Sequence, residues 1–252
     1  MSKEQPVYPA VPSAPPQEIP PPYAIQNNIS CVSLHESDKL RLMGFTPEEI
    51  AFVKQAISTS WSQGIQAESK YAGAYQIKLK GNPWWGQGSE AVPSRLLIAA
   101  ILRHLLNMGW LLTLSTDISK KQYDKDTLFL RRTHPDPSAF ICSISFNRTD
   151  RIRLIGAPPH LQSAVHDTIV RCWSKGLQDQ KVYEGHPEWK LKGNPWWADS
   201  NETVQVRMFL ARLIEAVERV GFVVYASVDI SQGTGENNGD VDSWFLRQVR
   251  AV

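Results

Sequence analysis

Shifted by 112 positions, this sequence matches itself. Trp61 falls on Trp173, Gly64 on Gly176, Arg95 on Arg207, Gly109 on Gly221 and Asp117 on Asp229. Across residues 61–119 the two copies agree at 23 of 59 positions without a gap. Beyond Ser119 the second copy carries four extra residues, within "QGTGENNGDVD", before "FLR" at 129–131 meets "FLR" at 245–247. The period is too long for a solenoid unit, so the duplication predicts two similar domains in tandem. The first covers 29–138 and the second 139–252, behind a tail at 1–28. Any fold given to one copy must also suit the other.

Each copy carries the same signals. "CVSLHESDKLRLMG" alternates apolar and polar residues around Ser37-Asp38, the mark of a hairpin, and "ICSISFNRTDRIRLIG" repeats it. A helix follows in each. In the first copy, Thr46-Pro47-Glu48-Glu49 supplies a cap, an N1 proline and an acidic first turn. In the second, Pro158-Pro159 opens the helix. Then come a short strand ("IKLKGN" or "WKLKGN"), a second helix from about Glu90 to Asn107 with Gly221 marking its counterpart's end, and two more strands. The expected order is ββαβαββ per copy: an α+β fold with a mostly antiparallel sheet and two helices on one face.

The heptapeptide "LKGNPWW" occurs at 79–85 and again at 191–197. Asn-Pro starts turns, and the residue before proline is pushed out of the helical region, so the motif ends a strand sharply. The expected role of Trp84, Trp85, Trp196 and Trp197 is a structural corner, since each tryptophan can bury roughly 150–250 Å². The alternative is an aromatic platform for a base, a sugar or a proline-rich peptide, which an unengaged indole N–H would favour.

Alternation points Val32, Leu34, Leu40, Leu42, Ile77, Leu79, Leu112, Leu114, Leu128 and Leu130 at the helices. The opposite face then carries Lys39, Arg41, Lys78, Lys80 and Arg131 against Asp117 in the first copy. In the second it carries Arg151, Arg153, Lys190, Lys192 and Arg247 against Asp229, within a chain of net charge +2. With Phe129 or Phe245 among the cations, such a face resembles the one RRM domains turn to RNA, although the RNP1-type pattern is missing. It suits an acidic ligand: RNA, a phosphoinositide headgroup or an acidic peptide. The alternatives are a solvated face, or two faces packed together with Asp117 and Asp229 pairing lysines.

Signatures of catalysis are absent: there is no P-loop, no GxGxxG after a strand, no GxSxG and no HExxH. None of the six histidines recurs at an equivalent position, and Asp117 and Asp229 stand singly in their copies. The reading is a non-enzyme with no catalytic residues, no metal site and no cofactor. Three cysteines without CxxC spacing fit a reducing compartment. The apolar run at 96–102 is too short to cross a bilayer, and the N-terminus lacks a secretory h-region. Together these predict a cytoplasmic protein that is not integral to a membrane.

The tail reads "MSKEQPVYPAVPSAPPQEIPPPYAIQNN" and holds eight of the 17 prolines. Such a composition cannot bury enough apolar surface to fold, and it favours extended polyproline II. Pro20, Pro21 and Tyr23 fit the PPxY pattern read by WW domains, which dock prolines on aromatic grooves. Pro12, Ser13, Ala14 and Pro15 resemble the P[ST]AP motif bound by the UEV domain of ESCRT-I. Beginning eight residues apart, the pair resembles the late-domain tails of retroviral Gag proteins and of cellular adaptors. That resemblance implies recruitment of a WW-domain ubiquitin ligase and of ESCRT-I, at the periphery of endosomes. The expectation is an adaptor whose repeats bind a cargo or an acidic surface. An RNA-binding tandem domain and a structural, oligomer-forming protein are the alternatives.

Overall fold

A computed structural model describes residues 28–119, 124–230 and 241–249. The first copy supplies β1 (Ile29–His35), β2 (Lys39–Met43), α1 (Pro47–Ser60), β3 (Ile65–Tyr71), β4 (Ala74–Leu79), α2 (Ala91–Asn107), β5 (Trp110–Thr116) and β6 (Asp124–Arg132). The second supplies β7 (Ile141–Asn147), β8 (Arg151–Ile155), α3 (Pro159–Cys172), β9 (Leu177–Tyr183), β10 (His186–Leu191), α4 (Ser200–Arg219), β11 (Phe222–Val228) and β12 (Ser243–Gln248). The strands form two antiparallel six-stranded sheets, ordered β3-β4-β2-β1-β6-β5 and β9-β10-β8-β7-β12-β11. The order is the same in both copies, so the protein is α+β with two tandem repeats.

Each copy has one strand more than the alternation indicates: the order is ββαββαββ. The added strands, β3 ("IQAESKY") and β9 ("LQDQKVY"), are exposed along nearly all their length. They are sheet edges with no face against the core, so nothing imposes a period-two pattern on them. Their charges also discourage pairing with another chain's strand.

The first hairpin follows its alternation closely. Val32 opposes Leu42 and Leu34 opposes Leu40, and all four are buried under the helices. Thr46 then starts α1 with a reciprocal cap. Its hydroxyl accepts from the Glu49 amide at 3.3 Å, and its own amide donates to the Glu49 carboxylate at 2.9 Å. That carboxylate is nearly buried and also accepts from the Trp110 indole at 3.0 Å and from Arg132 at 2.5 Å. One glutamate thus ties the start of α1 to strands β5 and β6. α3 begins at Pro158 without any side-chain cap.

The two long helices differ in a way that decides the architecture. α2 ("AVPSRLLIAAILRHLLN") is apolar almost all round, and α4 ("SNETVQVRMFLARLIEAVER") is apolar on one stripe. A helix apolar on every side must be covered on every side. α2 packs on its own sheet through Leu97, Ile101 and Leu105. It is covered from behind by the second sheet, whose Ile141 and Phe245 join the same core. The layers therefore run first sheet, α1 and α2, second sheet, α3 and α4. In α4 the positions equivalent to Ala100 and Leu106 are Arg212 and Glu218, both exposed.

One alternation fails. Leu112 and Leu114 do not both reach the core, and Leu114 is 51% exposed. The pairing of β5 with β6 shifts register between these residues, a bulge that flips the strand's faces. β11 shifts at the equivalent place, between Val224 and Ala226. The two bulged strands lie beside each other where the repeats meet.

Candidate functional site

The WW-domain motif (Pro20, Pro21, Tyr23) and the UEV motif (Pro12, Ser13, Ala14, Pro15) lie outside the described residues. The repeated heptapeptide does not, and its two tryptophans part company. Trp84 is fully buried. Its amide donates to Ser37 O at 2.9 Å and its indole to Lys39 O at 2.9 Å. Trp196 makes the equivalent bonds, to Thr149 O and Arg151 O, each at 3.1 Å. From the other side the indoles of Trp61 and Trp173 donate to Lys80 O and Lys192 O. Gly81 and Gly193 turn the chain at φ +77° and +84°, where a Cβ on Gly81 would lie 2.3 Å from a Glu90 oxygen. The motif is a clip that locks the end of β4 or β10 onto the preceding hairpin. Trp85 and Trp197 are not part of the clip: they are 43% and 57% exposed, and neither indole donates a hydrogen bond among the described residues.

Most of the strand cations are engaged within the fold. Lys39 pairs with Glu36 at 2.5 Å and Lys78 with Asp38 at 3.6 Å. Arg41 bonds Gln76 and lies 3.9 Å over the Tyr71 ring. In the second copy Glu188, almost wholly buried, receives Arg151 at 2.6 Å and Arg153 at 2.5 Å. Burial alone would raise the Glu188 carboxyl, but the Arg153 and Arg151 hydrogen bonds and charges outweigh it and hold the group below its ordinary range. Lys190 faces Asp150 at 3.7 Å, and Arg247 reaches Asp136 at 2.8 Å. Lys80, Arg131 and Lys192 remain exposed, with no carboxylate partner among the described residues. The sequence reading missed Glu188 because it began that strand at Trp189. β10 starts three residues earlier, at His186, and Glu188 faces Arg153 across the register.

Between the repeats the bulged strands enclose a polar cleft of about 300 Å³. Its walls are three equivalent pairs, Ser115 with Ser227, Asp117 with Asp229, and Asp126 with Asp242, together with Lys125. The aspartates that stand singly in each copy are thus brought together. Ser115 donates to Ser227 O at 2.6 Å, the Asp229 amide to Asp126 at 2.6 Å, and Lys125 pairs with Asp229 at 2.7 Å. Burial pushes the Asp126 carboxyl up to about 6; the Asp229 amide opposes this, and the neighbouring carboxylates add to it. These bonds fasten the repeats to each other. Among the described residues no group of His, Cys, Asp or Glu is arranged to hold a metal ion.

A second concavity, about 540 Å³, opens beside the N-terminal end of β1. Phe45, Pro47, Ile50 and Tyr75 form its apolar floor, and Lys54 and Lys70 stand at its rim. Lys54 pairs with Glu68 at 2.8 Å, and the Tyr75 hydroxyl bonds the same carboxylate. None of these residues was expected at a site from the sequence, where Pro47 figured only as the N1 proline of α1. A signal was available in the alignment of the copies: Phe45, Ile50, Ala74 and Tyr75 fall on Ala157, Gln162, His186 and Pro187. In the second copy the Gln162 amide donates to Ala157 O, and His186 meets the Gly156 amide.

No helix among the described residues is long and apolar enough to cross a membrane. No curated protein matches the chain. A crystal structure of a conserved kinetoplastid-specific protein from Trypanosoma cruzi is similar at 19% identity over 41% of this chain and 96% of that one; its TM-score of 0.33 carries no argument. A family model for a single domain matches twice, over residues 28–131 and again over 140–247. The chain belongs to that domain family and carries its domain as a tandem pair.

Proposed function

We propose that this protein is a non-enzymatic adaptor, cytoplasmic and peripheral to endosomes, that recruits a WW-domain ubiquitin ligase, and ESCRT-I beside it, through its proline-rich tail. The observation that carries this reading is the internal neutralisation of the strand cations. Glu188, Asp150, Asp136, Asp38 and Glu36 pair with six of the ten cations that a free basic face would offer, and Arg41 rests on Gln76 and Tyr71. Long-range attraction of a polyanion needs an unpaired positive field, so RNA binding by these residues has less support. Recognition chemistry then rests on the tail, where Pro20, Pro21 and Tyr23 supply a WW-domain ligand. The repeats act as one body that presents it.

Tyr23→Ala is expected to abolish capture of the full-length chain by an immobilised WW domain, with no change in melting temperature. Capture at the wild-type level would remove the ligase from the proposal.

A further inference from the structure

We infer that the groove of Phe45, Pro47, Ile50 and Tyr75 is a docking site for the chain's own residues 18–23 ("EIPPPY"), so that the tail is held in cis in competition with its partner. The inference rests on the adaptor reading for its consequence, and on the groove for its geometry.

Three observations carry it. The first is position. The Ser30 hydroxyl at the start of β1 donates to Gly44 O at 2.8 Å, and Gly44 lines the groove. The tail leaves the body at the groove's near end. Across the sheet the groove spans from β2 to β3, and β3 lies three strand positions from β1, about 14 Å at the usual spacing. Tyr23 is six residues before Ile29, a reach of about 19 Å at 3.1 Å per polyproline residue. The segment is long enough to arrive and short enough to be kept close.

The second is chemistry. Polyproline segments dock on grooves lined by aromatic rings, and Phe45 and Tyr75 supply two. Lys70 stands exposed on β3, farthest from the exit, beside Lys54, which Glu68 already pairs. Glu18 is the tail carboxylate nearest the prolines of that segment, so the docked segment carries the charge that an exposed lysine at the rim complements. The third is an internal control. The second copy, preceded by an ordinary connection around Phe140, puts Ala157, Gln162, His186 and Pro187 at the equivalent positions. The apolar groove is kept only in the repeat that follows the proline-rich tail.

The test uses the full chain in two arms. In the first, amide NMR shifts are compared between wild type and a Pro21→Ala/Tyr23→Ala variant. Changes at Gly44, Ala51 and Gly73 that are independent of protein concentration support docking in cis. No change there overturns it, and concentration-dependent changes overturn it in favour of a second copy's tail. In the second arm, an isolated WW domain is titrated with the full chain and with a synthetic peptide of residues 14–27. A tethered ligand at millimolar effective concentration, meeting a groove of about 100 µM affinity, weakens the full chain's apparent affinity about tenfold. Ala51→Arg, an exposed helix position on the groove wall, should close that gap. Equal affinities for chain and peptide overturn the inference and leave the adaptor intact. A peptide that fails to bind removes the adaptor, and the NMR arm alone then decides the groove.

Discussion

The clip residues and the outer tryptophans of the repeated heptapeptide share a motif but not a role. Trp84 combines complete burial with an indole hydrogen bond to Lys39 O, so Trp84→Ala leaves a cavity and strands the Lys39 carbonyl, while the backbone amide keeps Ser37 O. A loss of about 3–5 kcal/mol is expected by urea titration, the range for core aromatic truncation. Trp85→Ala, at 43% exposure, should cost well under half of that. Asp126 gives a prediction of the opposite kind. Its carboxyl is raised from 3.8 to about 6 in the fold, so the native state binds more protons than the unfolded state across that interval. Stability is therefore present below pH 4 and lost as pH rises through 6. Asp126→Asn should flatten that slope and stabilise the protein at pH 7 by about 2–3 kcal/mol, read from urea midpoints across pH. Nothing in the chain's local pattern showed this group, because its environment is made by a strand of the other repeat.

At the scale of elements, the comparison of α2 with α4 is the most informative. Equivalent residues face opposite surroundings. Arg207 lies on the surface and bonds Thr203 O, whereas Arg95 is buried and reaches Gly86 O at 2.6 Å and Ser243 at 3.1 Å. Ala100→Arg, which copies the residue α4 carries, would place a charge between α2 and the second sheet. It should destabilise the protein by about 3–5 kcal/mol, the cost of an unpaired buried charge, and Arg212→Ala should leave the urea midpoint almost unmoved. The all-round apolarity of α2 is written in "RLLIAAILRHLL", but the expectation of two helices on one face used it only as a run too short to cross a bilayer. β3 and β9 were illegible for a physical reason: an edge strand exposed on both faces has no burial to write into its sequence. The capping of α1 and the first hairpin were fully legible, because every residue that makes them lies within a few positions of its partner.

At the scale of the molecule, the shared helix makes the repeats one cooperative unit. Arg95, Ser115, Lys125 and Asp126 all bond across the junction. Urea transitions followed by tryptophan fluorescence and by far-ultraviolet circular dichroism are expected to coincide. Two separated transitions would show that the junction does not couple the copies. Six of the ten strand cations pair with carboxylates from neighbouring strands and turns, as Arg151 and Arg153 do with Glu188, and strand alternation alone cannot place such partners.

The stacking has a direction, since the second sheet rests on the first copy's helix and, among the described residues, no sheet rests on the outer face of α4. Duplicates made this way are held to unequal account by mutation. Ala100 and Leu106 are buried in the core that the second sheet completes, so a larger or charged residue there must displace that sheet, whereas the exposed Arg212 and Glu218 meet no such constraint. A third copy stacked on α4 in the same way would meet those charges where the second sheet meets an apolar bed on α2.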